Sequence, residues 1–261
     1  MRTVYNPDEM QSIAEKIKSQ NSRIVLVPTM GALHEGHLRL IERAKTLGDV
    51  TIVSMFVNPI QFGPNEDYAK YPREFDNDRK KCESRKADFV FAPSVENMYP
   101  NGFDTKVNCG KITTLLEGAI RPGHFDGVCT VVLKLFNISQ ADIAVFGQKD
   151  AQQVMVIKQM VRDLNLAIKI DVHPIVREDD GLAMSSRNAY LTDEERDEVP
   201  MIYAGLQKAQ RQKNIKTFLQ DYYSSAKYFV TEYIEVADSS VLVAVRTTQS
   251  KTRLIDNIIV H

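Results

Sequence analysis

Residues Ile24 to Gly48 read IVLVPTMGALHEGHLRLIERAKTLG, and their texture changes twice. Ile24 to Val27 is continuously apolar, the pattern of a strand covered on both faces of a parallel sheet. From Leu38 onward, Leu38, Ile41 and Ala44 fall at helical spacing, and the run stops at Gly48, which reads as a C-terminal glycine. Between the two lie Gly31, Gly36 and a pair of histidines, His34 and His37. Strand, glycine-bearing turn, helix: that order is the first half of a parallel crossover unit.

The alternation recurs. VTIVSMFV from Val50, DFVFAP from Asp88, DIAVFG from Asp142 and IKIDVHPIV from Ile168 read as further strands. DNDRKKCESRKA is helix-prone with an aspartate start, and AQQVMVIKQMVRDLNL sets Val154, Ile157, Met160, Val161 and Leu164 along one face. Repeated strand–helix pairs predict an α/β fold, a Rossmann-like open parallel sheet with helices on both faces, over residues 1–176. After Ile175 the texture changes. REDDGLAMSSRN has no period and many turn formers, and TDEE from Thr192 reads as a capping box. Two helical stretches, MIYAGLQKAQRQK and KTFLQDYYSSAKYF, precede three strand-like runs, YIEVAD, SVLVAVRT and TRLIDNIIV. Residues 177–261 are therefore expected to form a smaller C-terminal α+β domain.

The bulk numbers exclude several classes. With 33 basic against 34 acidic residues in 261, no net field draws the chain to nucleic acid or a membrane surface. No stretch approaches the roughly 18 apolar residues of a membrane span, and MRTVYNPDEM lacks the apolar core of a signal peptide. Cys82, Cys109 and Cys129 are an odd number, widely spaced, and read as reduced thiols. The expected location is cytoplasmic.

Two templates fail on GALHEGH. A zinc protease helix needs His-Glu-x-x-His, and here the second histidine comes one residue early. A phosphate loop needs Gly-Lys-Ser/Thr after four residues, and His37 and Leu38 occupy the Lys and Ser/Thr positions. The underlying physics survives both failures. A glycine lets backbone approach a ligand, and the N–H groups at a helix start attract phosphate. Two imidazoles add donors for charge on a phosphate in flight.

PTMGALHEGHL, from Pro28, resembles the His-x-Gly-His signature of the nucleotidylyltransferase superfamily, in the form found in the pantothenate synthetase family. FVNPIQFGPNEDYAKYPR from Phe56, LEGAIRPGHFDGV from Leu116, FGQKDAQQ from Phe146 and VREDDGLAMSSRN from Val176 each resemble a block of that family, in the same order. TRLIDNI resembles its C-terminal segment.

The resemblance implies an enzyme that condenses pantoate with β-alanine at the expense of ATP through a pantoyl adenylate, with pantoate, β-alanine, ATP and Mg2+ as small-molecule partners and a homodimer as its assembly. It implies a nucleotide site from Met30, Gly31, Ala32, Leu33, His34, Glu35, Gly36 and His37, with His37 the proton donor, and from Gly147, Gln148, Lys149 and Asp150. Val176 and the loop Met184, Ser185, Ser186 and Arg187 complete it. His34 and Lys149 carry over beside His37 as catalytic, and Asn58, Gln61 and Gln153 as the pantoate and β-alanine amides. Lys149 and Gln153 are four apart, a spacing that puts them on one side of a helix. Arg121 and His124 match family positions without an assigned role. The small domain is expected to close over the cleft. One departure is EFDNDRK, where Asn77 separates Asp76 from Asp78; family members often carry adjacent aspartates associated with Mg2+ there, so no protein ligand for the ion is named.

Three rivals remain at this stage. A sister nucleotidylyltransferase with a phosphorylated acceptor calls for a basic acceptor pocket, whereas Asn58, Gln61 and Gln153 are neutral. A metal-dependent hydrolase would use His34, His37 and a third ligand from His124 or His173. A nucleotide-binding module without catalysis would bind ATP and exchange no pyrophosphate.

Overall fold

A computed structural model of the chain describes residues 1–64, 66–237 and 239–260. Two compact units emerge: Met1–Gly147 with Gln152–His173, and Gln148–Ala151 with the chain from Pro174 onward.

In the first unit, β1 (Arg2–Val4), β2 (Ile24–Thr29), β3 (Val50–Met55), β4 (Phe89–Phe91), β5 (Ile143–Gly147) and β6 (Lys169–His173) form one sheet in the order β1-β4-β3-β2-β5-β6. Every pairing is parallel. The connecting helices are α1 (Pro7–Ser19), α2 (Glu35–Lys45), α3 (Phe75–Ser84), the one-turn α4 (Val95–Met98) and α5 (Glu117–Ile120), then α6 (His124–Ser139) and α7 (Ala151–Asp163). Five of the six strands are the apolar runs read from the sequence. The sixth, β1, is a three-residue edge strand too short to carry a period.

The continuous apolarity of β2 has a direct cause. Ile24 and Leu26 join the core that contains Met10 of α1, Phe136 of α6 and Ile157 of α7. Val25 and Val27 join a second core on the other face, with Leu38 and Ile41 of α2 and Cys82 of α3. Because successive side chains alternate between faces, a strand sandwiched by helices is apolar at every position.

Two readings of helix ends in this unit need correction. Helix α2 ends at Lys45 with Thr46 as its cap, before Gly48, and Gly48 is not among the left-handed residues. A Cβ at Gly48 would lie 2.6 Å from Val25 Cγ2 and 2.9 Å from Arg23 O, so close packing against the start of β2 is what requires glycine there. Leu164 lies beyond the end of α7 and is half exposed. Asn165 takes a left-handed φ of 51°, a conformation that ends helices and that asparagine tolerates.

The second unit holds α8 (Asp193–Glu198), α9 (Met201–Ala209) and α10 (Ile215–Tyr223), then an antiparallel sheet of β7 (Phe229–Ala237), β8 (Ser240–Thr247) and β9 (Arg253–Ile259). Thr192 and Glu195 form the capping box read from TDEE. The helix expected to run through Phe229 stops at Tyr223, and Phe229 opens β7. Among the described residues no helix is long and apolar enough to cross a membrane.

Candidate active site

The strand order reverses direction at β2: the chain builds outward through β3 and β4, then returns to place β5 on the other side. In open α/β sheets such a switch point leaves a crevice at the carboxyl ends of the two strands. Here β2 and β5 pair only at Val25–Ile143 and Leu26–Ala144, so the ladder ends before either strand does. Pro28, which has no N–H to donate, falls in this stretch of β2 beyond the ladder. A methyl group at Gly147, the last residue of β5, would meet no atom within 4 Å. The turn carrying both histidines leaves the end of β2.

That turn is held from a distance. Gly31 and Ala32 adopt left-handed φ values of 80° and 50°. Asp78 of α3, almost wholly buried, receives the Ala32 N–H on Oδ2 at 2.6 Å and the Leu33 N–H on Oδ1 at 2.8 Å. Lys81 Nζ donates to Leu33 O at 2.6 Å. Ala32, an L-residue in a region that costs about 1 kcal/mol, is kept there by the carboxylate.

The histidines then cap α2 reciprocally. His34 is the N-cap, its Nδ1 accepting from Gly36 N at 3.1 Å, while His37 Nδ1 accepts from His34 N at 3.3 Å. A backbone N–H can only donate, so Nδ1 is unprotonated on both rings. The ring proton of each neutral imidazole therefore sits on Nε2. The rings lie 4.1 Å apart, centroid to centroid. This is a capping box with imidazoles in place of the usual hydroxyl and carboxylate. The Glu35 side chain is engaged in ion pairs with Arg39 at 3.0 Å and Arg85 at 3.2 Å.

After β3, the 3-10 turn Pro59–Gln61 presents Gln61. Asn58, at its start, is buried and engaged at both ends of its amide: Nδ2 donates to Gln61 Oε1 at 2.9 Å and to Gly127 O at 3.1 Å, and Oδ1 accepts from Tyr99 OH at 2.8 Å. Burial pushes the Tyr99 phenol far above its ordinary range, which keeps it a donor. Asn58 thus fixes the Gln61 amide. Gln61 Nε2 points at Met30 Sδ, 3.2 Å away, a weak acceptor that a ligand oxygen would outcompete. Gly127 lets α6 lie against this turn, because a Cβ there would come within 2.4 Å of Ile60 O and 2.6 Å of Gln61 N.

Arg121 and His124 complete the support. Glu66 takes both Arg121 Nε and Nη2 at 2.6 Å, Arg121 Nη1 lies 3.0 Å from His124 Nε2, and His124 Nδ1 lies 2.8 Å from Gln61 O. Arginine can only donate and a carbonyl can only accept, so the His124 proton sits on Nδ1. Burial first, then the Arg121 charge, pushes the imidazole down to about 4, so it is neutral at physiological pH. Burial alone would raise the Glu66 carboxyl, but the Arg121 hydrogen bonds and charge outweigh it and hold the group below its ordinary value. With Nε2 facing a guanidinium, His124 is unsuited to ligate a metal. Among the described residues no three His, Cys, Asp or Glu side chains are grouped to hold one.

On α7, adjacent glutamines differ. Gln152 is buried and serves the fold, accepting from Glu117 N at 2.9 Å and donating to Ile112 O at 3.0 Å and Leu115 O at 2.7 Å. Gln153, on the next position round the helix, is partly exposed. Lys149 belongs to a 3-10 turn, Gln148–Asp150, before α7 begins, so no regular helix joins it to Gln153 as the four-residue spacing implied.

In the second unit, Asn257 Nδ2 donates to Gln148 O at 2.9 Å and Lys149 O at 3.0 Å, and Gln148 Nε2 returns a bond to Asn257 Oδ1 at 3.1 Å. This is the work of the C-terminal TRLIDNI segment: it grips the turn that carries Lys149. Asp150 is exposed. Met184 N donates to Val176 O at 3.0 Å, which brings Val176 beside the serine-rich stretch. Ser185 Oγ caps the 3-10 turn Ser186–Tyr190 by accepting from Arg187 N at 3.2 Å, and Ser186 and Arg187 are partly exposed. Arg177 braces the base of this stretch through Asp256, at 2.7 and 2.9 Å, and stacks over Tyr203 at 3.5 Å. Gly127, Gln152 and Asn257 were not singled out from sequence, and Asp78 was weighed only in connection with Mg2+; each acts through a partner distant in the chain.

Residues 2–259 match the family model described as pantoate-beta-alanine ligase. The chain is 50% identical over 280 residues to the pantothenate synthetase of Caldicellulosiruptor bescii, covering 100% of this chain and 99% of that one. It is 48% identical over 278 residues to that of Thermotoga neapolitana, covering 99% of each. Among solved structures, pantothenate synthetase from Thermus thermophilus superposes with a TM-score of 0.92 at 40% identity, over all of both chains. Pantoate-beta-alanine ligase from Francisella tularensis, complexed with beta-gamma ATP and beta-alanine, gives 0.86 at 38% identity over 99% of this chain and 97% of that one. With the switch-point crevice, the imidazole pair and this match along nearly its whole length, the chain belongs to the pantoate-beta-alanine ligase family.

Proposed function

We propose that the chain joins pantoate to β-alanine in an ATP-dependent condensation, with AMP and pyrophosphate as the other products. The pantoate carboxylate attacks the α-phosphorus of ATP, pyrophosphate leaves, and the β-alanine amine then attacks the acyl carbon of the adenylate to expel AMP. The observation that carries this reading is the capping pair: both imidazoles spend Nδ1 on the backbone, so their Nε2 protons are oriented donors. Fixed donors suit a reaction in which charge builds on phosphate oxygens. His37 donates to that charge and His34 assists. Gln61, held by Asn58 and by the His124 contact to its carbonyl, receives pantoate and β-alanine together with Gln153. Neutral amides bind a hydroxyl and a carboxylate without adding the charge that a phosphorylated acceptor would call for.

Met30 to His37 and Gly147 to Asp150 cradle the nucleotide in this reading, with Val176 beside the base and Met184 to Arg187 on the phosphates. Lys149 supplies a compact cation. The domain of residues 1–176 binds nucleotide and pantoate, and residues 177–261 serve as the lid. Mg2+ enters on the ATP phosphates, as it commonly does. The residues at 76–78 do not suit the ion: Asp78 is committed to the backbone of the histidine turn and Asp76 is exposed. A homodimer is proposed on family resemblance alone, for sedimentation to test. A cytoplasmic location is proposed on the three free thiols.

The test is pantoate-dependent exchange of labelled pyrophosphate into ATP without β-alanine. Exchange that requires pantoate establishes the first half-reaction, and its absence in a protein that binds ATP overturns the reading in favour of a sister transferase or a binding module. The His37→Gln variant isolates the donor, because glutamine is an accepted partner at this position of a capping box. Exchange should fall by about 10²–10³-fold with the melting temperature little changed; near-wild-type exchange would remove His37 from the chemistry.

A further inference from the structure

Outside the site, among the described residues, two thiols stand together. Cys109, at the N-terminal end of the 3-10 turn Gly110–Thr114, and Cys129, on α6, have their sulfurs 3.3 Å apart. They are 20 positions apart in sequence, and their approach is not a chance meeting of mobile groups. The segment bearing Cys109 is tied to the same stretch of α6 on both sides of Cys129: Val107 N donates to Thr130 Oγ1 at 3.0 Å and Asn108 Nδ2 to Asp126 Oδ1 at 2.8 Å. The pair differ in access, with Cys109 partly exposed and Cys129 buried. Cys82, the third thiol, is buried on α3 in the other core.

We propose that Cys109 and Cys129 are a reversible thiol–disulfide modification site, oxidised by a low-molecular-weight disulfide to an intrachain staple between the 107–114 segment and α6. The accessible Cys109 thiolate attacks one sulfur of the small disulfide. The Cys109–sulfur bond forms, the small disulfide breaks, and one small thiolate leaves and takes up a proton. Cys129, giving up its proton, then attacks Cys109 Sγ and expels the second small thiol. Two protein thiols are oxidised by two electrons, and one small disulfide is reduced to two thiols. Closing from 3.3 Å to a bond of about 2.05 Å asks for about 1.2 Å of movement. Burial pushes both thiols above their ordinary values, so the exchange is slow at neutral pH.

The staple closes a short loop whose carbonyls at Ile112 and Leu115 are held by Gln152. Its effect is stiffening of that connection under oxidising conditions.

The experiment incubates the purified full-length enzyme with glutathione disulfide, blocks remaining thiols, and maps peptides by mass. The expected result is a Cys109–Cys129 cross-linked peptide, a native mass lower by about 2 Da for the two protons lost, and reversal by dithiothreitol. On a non-reducing gel the protein stays monomeric, and its melting temperature rises by about 5 °C. Cys129→Ser should trap a glutathionyl adduct on Cys109, and Cys109→Ser should leave the native mass unchanged. A stable adduct on Cys109 of the wild type with Cys129 still blockable, a disulfide between chains, or a link formed only in the unfolded chain would each overturn the proposal.

Discussion

The turn after β2 and the stretch from Val176 to Tyr190 are both proposed to hold the nucleotide, and they are built differently. The first is fixed through its backbone. Two of its N–H groups bond a buried carboxylate, its two imidazoles cap a helix, and two residues hold left-handed φ values that the carboxylate keeps in place. The second has backbone bonds within itself, Met184 N to Val176 O at 3.0 Å and Glu178 N to Leu182 O at 2.9 Å, and is tied to its surroundings through side-chain charge. Arg177 pairs with Asp256 at its base, and Arg196 of α8 reaches Glu178 at 2.6 Å and Asp180 at 2.5 Å. Backbone bonds to a buried acceptor hold a position to fractions of an ångström and are shielded from salt. The Arg196 pairs, a third exposed, are screened and give way more easily, whereas the Arg177–Asp256 pair at the base is largely buried. In the proposed reaction the rigid turn serves where donor geometry decides a rate, and the ion-paired stretch where a segment must admit and release a polyphosphate.

The largest effect should come from removing the anchor of the rigid turn. Asp78→Asn leaves one acceptor for two N–H groups and turns an amide donor toward the other. Hydrogen bonds to a charged, buried acceptor are worth about 1.5–3 kcal/mol each, and an opposed donor adds a desolvation cost, so the variant should lose about 3 kcal/mol by urea denaturation. Its affinity for ATP should fall as the turn relaxes, while the Mg2+ concentration for half-maximal activity stays the same. Wild-type stability with a shifted Mg2+ requirement would instead make Asp78 a metal ligand and dissolve the contrast between the two regions.

Next in size is a pH effect seated in the support of Gln61. His124 titrates near 6.5 when unfolded and near 4 in the fold. Between those values the unfolded chain binds more protons, so stability falls as pH falls. The contribution is fully present above about pH 6.5 and lost as pH passes through about 4, amounting to at most about 3 kcal/mol. His124→Asn keeps a donor for Gln61 O and cannot titrate. The stability gap between wild type and variant should therefore narrow by about 2 kcal/mol between pH 7 and pH 4.5. A constant gap would mean that His124 is protonated, or solvated, in the fold.

What could be read in advance follows the same division. β2, β4 and β5 were legible because a strand covered on both faces is apolar along its length, and the Thr192–Glu195 box because both of its members lie within one turn; β3 and β6 were legible although Thr51 and Ser54, and Lys169, Asp171 and His173, interrupt their apolar runs. The role of Asp78 was not, since its partners lie 45 and 46 residues earlier and the sequence drew attention to it only in connection with Mg2+. Asn58 was read as touching substrate, and in the fold its amide bonds Gln61, Gly127 and Tyr99. The residue type was informative; the partner was not. Gly48 shows the converse, a glycine placed after a helix that serves the packing of β2 and leaves the cap to Thr46. Leu164 followed the helical period, but the period carries no signal for the left-handed Asn165 that stops α7.

The smallest effect falls on the ion-paired stretch. Arg196 holds Glu178 and Asp180 with all three side chains about one third exposed. For Asp180 burial alone would raise the carboxyl, and the Arg196 bonds reverse that and bring it below its ordinary value. Arg196→Ala should cost about 1 kcal/mol or less. Salt then separates this site from the other. At 1 M salt, where the screening length is about 3 Å, the gap between wild type and Arg196→Ala should close, while that for Asp78→Asn should persist. If both gaps close together, the histidine turn is held by exposed charge after all. If neither closes, the Arg196 pairs are drier than their exposure implies, and the stretch from Val176 to Tyr190 is as rigid as the turn it was contrasted with.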